Sequence, residues 1–287
     1  MSGAAFFAGR RQVKTPSGTI GYVEQGSGPV ALFVHGVMLN GYLWRHQLAQ
    51  LADVRRCIAV DLMAHGNTEI APTQDVSVTA NAHMLAQFLD ALNIDRVDLV
   101  GNDSGGGICQ IFAAMYPARI RSLVLTDCDA HDNWPPDAFK GFVDMVAAGG
   151  LAGTLEAMLA DKSVYRSPQA LGLAYERPGE VSDDTIETYL RPHTRSAHRT
   201  HDLERFVNAF DCRHTVDIEA ALNSLRIPTL IAWGTDDIFF DLKWSHWLNK
   251  TIVGSRRVEI SGGRIFFPEE RASEFNRELR THWLAAS

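Results

Sequence analysis

The chain has 287 residues, 46% hydrophobic and 21% charged, an ordinary soluble-globular balance with room for a large core and an insertion. A formal net charge of -7 with no strong basic cluster argues against a nucleic-acid surface. Cys57, Cys109, Cys128 and Cys212 lack metal or redox spacing and are expected as reduced thiols. The apolar run in MSGAAFFAGRR is too short for a secretory signal, and no later run is long enough to span a bilayer. A cytoplasmic protein without membrane association is the expectation.

In chain order, GTIGYVEQG alternates apolar and polar residues as an antiparallel edge hairpin does. PVALFVHG follows, then a helical stretch at Leu43–Leu51 and the run RRCIAVDL. Next comes VSVTANAHMLAQFLDALNI, where Ala82, Leu85, Phe88, Leu89 and Leu92 recur at helical spacing. VDLVGND leads into the helix SGGGICQIFAAMYP, and RSLVLTDCD, IPTLIAWG and SRRVEIS are further buried-type runs. These runs are continuous, rich in Val, Ile and Leu, and end in Gly or Asp, as strands covered on both faces do. PEERASEFNRELRTHWL closes the chain as a helix with Phe275, Leu279 and Trp283 on one face. Such alternation predicts a mostly parallel sheet flanked by helices.

One segment departs from it. Residues 133–221 contain only helix-like pieces (Pro136–Ala148, Leu151–Asp161, Thr185–Leu190, Thr200–Phe210) separated by Pro and Gly. The expected organisation is a core of residues 1–132 and 222–287, with 133–221 inserted as a helical cap. Open α/β sheets bind ligands outside the carboxyl ends of their strands, where such a cap would close the site.

The chemistry concentrates at those strand ends. Gly101-Asn102-Asp103-Ser104-Gly105 has the form small–x–nucleophile–x–small between a strand and a helix. A sharp strand-to-helix turn strains its central residue and needs small neighbours two positions away. The following helix aims its N-terminal N–H groups at the same spot. Asp103 is therefore the candidate nucleophile, with a simple helix cap as the bland alternative. Ser104 is the weaker candidate, because Asn102 crowds it and it lies one residue too late; its backbone N–H instead suits an anion-binding hole. His35-Gly36-Val37, after the first long strand, places the Val37 N–H to complete that hole.

With HG…GYLWR, DLMAHGNTEIAP, GNDSGG, WGTDD and the FPEER helix, the chain resembles the α/β-hydrolase superfamily over nearly its whole length. The aspartate at the turn and the HG…GYLWR tract resemble the haloalkane dehalogenase and epoxide hydrolase branch. In that branch the carboxylate attacks carbon, and a histidine-activated water then hydrolyses the alkyl–enzyme ester. The resemblance implies an acid at Asp237 or, in the position some dehalogenases use, at Asp127. Each has a bland reading as a loop or helix cap. It also implies a histidine after the last strand, but Gly262-Gly263-Arg264-Ile265-Phe266 stands there, with no histidine between His246 and His282. An arginine stays protonated and cannot be a base. Arg264 is instead read as a clamp for a substrate anion or a partner of Asp103 or Asp237. Ser104 and Val37 also stand where dehalogenases carry halide-binding or polar residues.

For the missing base, His131 in TDCDAHDNWPP is the best substitute, oriented by neighbouring aspartates and shielded by Trp134. A solvated loop histidine is its bland alternative. His35 is expected behind the anion hole, at the edge of the substrate site. The Asp and His spacing does not define a metal site, and no cofactor is implied. The expected partner is a small-molecule substrate, with the chain a monomer or homodimer. Three functions follow: a hydrolase with Asp103 as nucleophile on a small apolar electrophile; a non-hydrolytic acid–base enzyme such as a lyase or isomerase; or a non-catalytic binding member of the fold.

Overall fold

In the computed structural model, which describes residues 1–285, eight strands form one sheet. They are β1 (Arg10–Thr15), β2 (Gly18–Gln25), β3 (Val30–Val34), β4 (Arg56–Val60), β5 (Val97–Asp103), β6 (Ile120–Cys128), β7 (Thr229–Gly234) and β8 (Arg256–Ile260). The spatial order is β1-β2-β4-β3-β5-β6-β7-β8. β1 pairs antiparallel with β2 and β2 with β4; all later pairings are parallel. The alternating GTIGYVEQ thus lies in the antiparallel part of the sheet. The continuous apolar runs of β3, β5 and β7 have every residue buried, as strands packed on both faces require.

Helices cover the sheet where the apolar spacing placed them. α1 (Val78–Ala91) starts at Ser77, whose hydroxyl accepts from the Ala80 N–H, and buries Ala82, Leu85, Phe88 and Leu89. Leu92 ends this helix rather than extending its buried face. α2 (Ser104–Met115) leaves β5 with no intervening loop, so the last strand residue is also the first helix cap. At the opposite end of β5, the buried Asp98 carboxylate accepts from Arg55, Arg121 and Ser122, each at 2.8 Å. That network ties three strand beginnings together and leaves the strand ends free for the site.

Between β6 and β7 the chain forms helices and no strand. The longer ones are α3 (Lys140–Ala147), α4 (Leu151–Ala160), α5 (Asp183–Thr194) and α6 (Ala197–Asn208). α5 and α6 begin earlier than their apolar spacing suggests, because Ser182 and Ser196 cap them through the Thr185 and Arg199 N–H groups. After α7 (Leu242–Thr251) and β8, the terminal helix is broken. A short turn at Phe267–Glu270 precedes α8 (Ala272–Ala285), and the Arg271 at the break reaches the insertion, binding Glu176 at 2.8 and 2.9 Å. Phe275, Leu279 and Trp283 of α8 are buried. Among the described residues no single helix is long and apolar enough to cross a membrane.

Candidate active site

The turn from β5 into α2 holds Asp103 at φ 58°, ψ -137°, a conformation that a residue with a Cβ adopts only when its surroundings impose it. The surroundings are crowded. A Cβ on Gly101 would stand 2.7 Å from the Cys109 sulfur, and one on Gly105 would collide with the carbonyl of His35. Only glycine fits at either place. The small–x–acid–x–small pattern is thus a steric requirement of this bend.

Held there, the Asp103 carboxylate accepts from the Ser104 N–H at the start of α2, and the Val37 N–H after β3 lies near enough to favour its charge. Two backbone amides from different elements make an anion cradle, and the helix dipole adds to it. Burial nevertheless dominates: the Asp103 carboxyl is pushed up to about 7, with the nearby Asp237 charge adding to the rise and the two amides opposing it. The hydroxyl of Ser104 is buried without a hydrogen-bond partner. It still lies close enough to Asp103 to favour the carboxylate, although no hydrogen bond of good geometry joins them.

Asp103 opens into a narrow apolar cavity. Its walls combine strand-end residues with Phe139, Leu171, Ala174 and Phe210 from the segment between β6 and β7. A larger outer cavity shares Met38, Phe139, Leu171 and Phe239 with it and runs out between helices of the insertion. The inner lining offers no histidine, arginine, lysine, tyrosine or tryptophan. Its two ionisable side chains are Asp103 and Asp129.

Asp237, after β7, is half-buried, with its carboxyl tucked behind this wall. Its Oδ1 accepts from the Phe239 and Phe240 N–H groups at 2.8 and 2.6 Å, while Oδ2 has no hydrogen-bond partner. Burial raises its carboxyl to about 6, against the pull of those amides, the Ile265 N–H and the Arg264 charge. Asp127, at the end of β6, accepts from the Gly234 N–H at 2.9 Å and keeps a second oxygen without partner. Burial first, then Asp237, holds its proton well above the ordinary range. Asp127 thus ties β6 to β7 and does not line the cavity.

Several expected roles do not match the placement of the side chains. Arg264 turns away from the cavity, and its guanidinium donates to the Leu173 carbonyl of the insertion at 3.1 Å. An apolar cavity would leave a guanidinium desolvated, whereas that carbonyl partners it. Ile265 instead faces Asp103, with its carbonyl held by the Asn102 side chain at 2.8 Å. The position expected to carry an imidazole, beside Asp237, therefore carries an isoleucine. His131 also lies elsewhere: its ring nitrogens stand 3.3 Å from Asp132 and Glu219, against Trp247, and it does not line the cavity. Trp134 packs behind the cavity wall, against Gly107 and Phe210.

His35 is wholly buried, and burial lowers its pKa to about 4. Neutral, it donates from Nδ1 to the Gly36 carbonyl at 2.7 Å and accepts the Leu62 N–H at Nε2, bracing the Val37 loop from behind. It does not touch the cavity. Asp129, the second cavity acid, was missed because it lies one residue past β6, where it read as one of the acids around His131. Its carboxylate spacing from Asp127 was the available signal.

These features define a hydrolase-type strand–turn–helix site with a carboxylate at the tip. The chain belongs to the alpha/beta hydrolase fold family, whose model matches residues 29–271. It is 31% identical over 242 residues to a 2-hydroxy-6-oxo-2,4-heptadienoate hydrolase of Pseudomonas putida, covering 81% of each chain. It is also 36% identical to a haloalkane dehalogenase of Mesorhizobium japonicum over 119 residues, 41% of this chain and 38% of that one. Among solved structures, an ancestral haloalkane dehalogenase superposes with a TM-score of 0.80 at 22% identity, covering 96% of this chain and 98% of the other.

Two outcomes follow for stability. Gly105→Ala should cost about 3 kcal/mol in denaturant unfolding, since the methyl meets backbone that cannot rotate away; a loss under about 0.5 kcal/mol would contradict the crowding. For Asp103, the folded carboxyl titrates above its ordinary value of 3.8, so the fold binds more protons than the unfolded chain between the two values. Stability then falls as pH rises through that window. Asp103→Asn should therefore stabilise the fold at about pH 8, on the order of 2 kcal/mol, and change little at about pH 4. An equal effect at both would contradict it.

Proposed function

We propose that this chain is an enzyme whose Asp103 carboxylate attacks carbon in a small apolar electrophile, such as a haloalkane or an epoxide, to form an ester. The observation that carries this reading is the placement of Asp103: a carboxylate held at the tip of a strained bend, on two backbone amides, facing an apolar cavity roofed by helices. A carboxylate in such a cavity is stripped of the water that would blunt it. The amides orient one of its oxygens and would hold the oxyanion formed when water later attacks the ester carbonyl. Asp237 stands where the superfamily's acid partner stands, but Ile265 replaces the imidazole it would orient. With a haloalkane, the first step has all it needs from Asp103, and the second lacks its histidine.

The haloalkane outcome is direct. Incubation with 1-bromobutane should add one butyl group to the intact mass, mapped to the peptide carrying Asp103. Asp103→Asn should add none there. An adduct on another residue, or an equal adduct in the variant, would remove the reading. Ile265→His should then place an imidazole beside the free Oδ2 of Asp237 and raise bromide release about 100-fold, the usual worth of a positioned base. An unchanged rate in a folded variant would show that residue 265 does not address the ester.

A further inference from the structure

The second acid of the cavity has no part in ester formation, yet nothing in the packing accounts for it. Asp129 is 2% exposed and lines the same cavity as Asp103. Its backbone is held, since the Gln110 side chain donates to its carbonyl at 2.7 Å. Its carboxyl is not: Oδ1 is buried with no hydrogen-bond partner. No structural carboxylate is buried unpaired without cost. The charge that acts on Asp129 is the Asp103 carboxylate, Asp237 adds to the charge around Asp103, and the Cys128 thiol feels Asp129, Asp127 and Asp103 together. Arg264 opposes this on the Asp237 side alone, where its charge lowers the Asp237 carboxyl. Burial and the Asp103 charge both hold the proton on Asp129. The two cavity acids thus share one proton, kept on Asp129 while Asp103 is ionised.

The geometry points to Asp129 as a catalytic acid and base that makes oxygen-leaving-group substrates, epoxides above all, the class this enzyme turns over. This rests on the Asp103 reading given above. In the first step an Asp103 oxygen bonds to an epoxide carbon, the ring C–O bond breaks, and the released oxygen takes the Asp129 proton. Asp129 is then a carboxylate, and Asp103 is a neutral ester. In the second step Asp129 takes a proton from water as the hydroxide oxygen bonds to the ester carbonyl carbon. The oxyanion lies on the Val37 and Ser104 N–H groups. Collapse breaks the bond to the diol oxygen, which takes the proton back from Asp129. Asp103 leaves the cycle carrying the other water proton and passes it to Asp129. The net change is epoxide plus water to diol.

A halide leaves without a proton. Asp129 then stays protonated, cannot serve as base, and the ester persists. The cavity lining also has no side-chain N–H to receive a halide, whereas a protonated carboxyl donates readily to an oxygen. The insertion tyrosines are engaged elsewhere: Tyr165 and Tyr175 with each other at 3.1 Å, and Tyr189 with Glu269 at 2.5 Å.

The test compares 1,2-epoxybutane and 1-bromobutane on the full chain. Wild type should form butanediol over many turnovers but accumulate the butyl ester of Asp103 from the bromide. Diol formation should show a bell-shaped pH profile, because it needs one proton on the pair, whereas alkylation by the bromide should rise with pH and level off. Asp129→Asn should lose diol formation about 100-fold or more, while intact mass still shows the butyl ester forming on Asp103. Asp129→Glu should recover part of it. Diol formation by Asp129→Asn within threefold of wild type, or equally fast clearance of both esters by wild type, would overturn the role of Asp129 and leave Asp103 standing. No butyl group on Asp103 and no diol would remove both readings. The comparison of the two substrates on wild type needs no substitution, so a variant that fails to fold does not blunt it.

Discussion

The site depends on a conflict between backbone and solvent at one residue. Asp103 is forced to positive φ by the crowded bend, and its charge is kept from water by the apolar lining around it. Two amide hydrogens from separate elements are the compensation the fold provides. Much of the surrounding architecture serves that compensation. His35 and His65 brace the loop that carries Val37 and Met38, with His65 accepting the Met38 N–H at 3.3 Å, and both stay neutral because burial lowers their basicity. Their contribution is positional.

Around that point the fold has collected acids rather than acid–base pairs. Asp103, Asp127 and Asp129 are buried and Asp237 half-buried at the carboxyl ends of β5, β6 and β7, and desolvation raises each carboxyl. Where a relative with an imidazole would neutralise part of this charge, the chain has Ile265. Like-charged carboxyls in one low-dielectric place cannot all ionise, so protons stay in the site near neutral pH. On the proposed reading, a site of this kind has a proton to give and favours leaving groups that need one.

The fold was legible because burial on both faces writes itself into strands as unbroken Val, Ile and Leu runs, and β3, β5 and β7 show it. The bend at Asp103 was legible because steric exclusion at Gly101 and Gly105 leaves a compositional trace. Side-chain direction after β8 left none. Arg264 and Ile265 are neighbours, and which of them faces the cavity is decided by the turn through Gly262 at φ 73° and by the Leu173 carbonyl, contributed from 91 positions away. His131 was misplaced for a related reason: its carboxylate partner Glu219 is remote in sequence, and the near aspartates suggested a different environment. Asp129 escaped notice because the end of a strand is one residue uncertain from pattern alone.

The central claim is that a carbon–oxygen bond forms at the Asp103 carboxylate and is later broken at the carboxyl carbon. Epoxide turnover in water labelled with heavy oxygen tests it most directly, with the Asp103 peptide weighed after many cycles. The account predicts that the label enters the Asp103 carboxylate and reaches the diol in the following cycle. Label found in the diol from the first cycle, with the Asp103 peptide unlabelled, would mean that water attacks the substrate itself, and would contradict it.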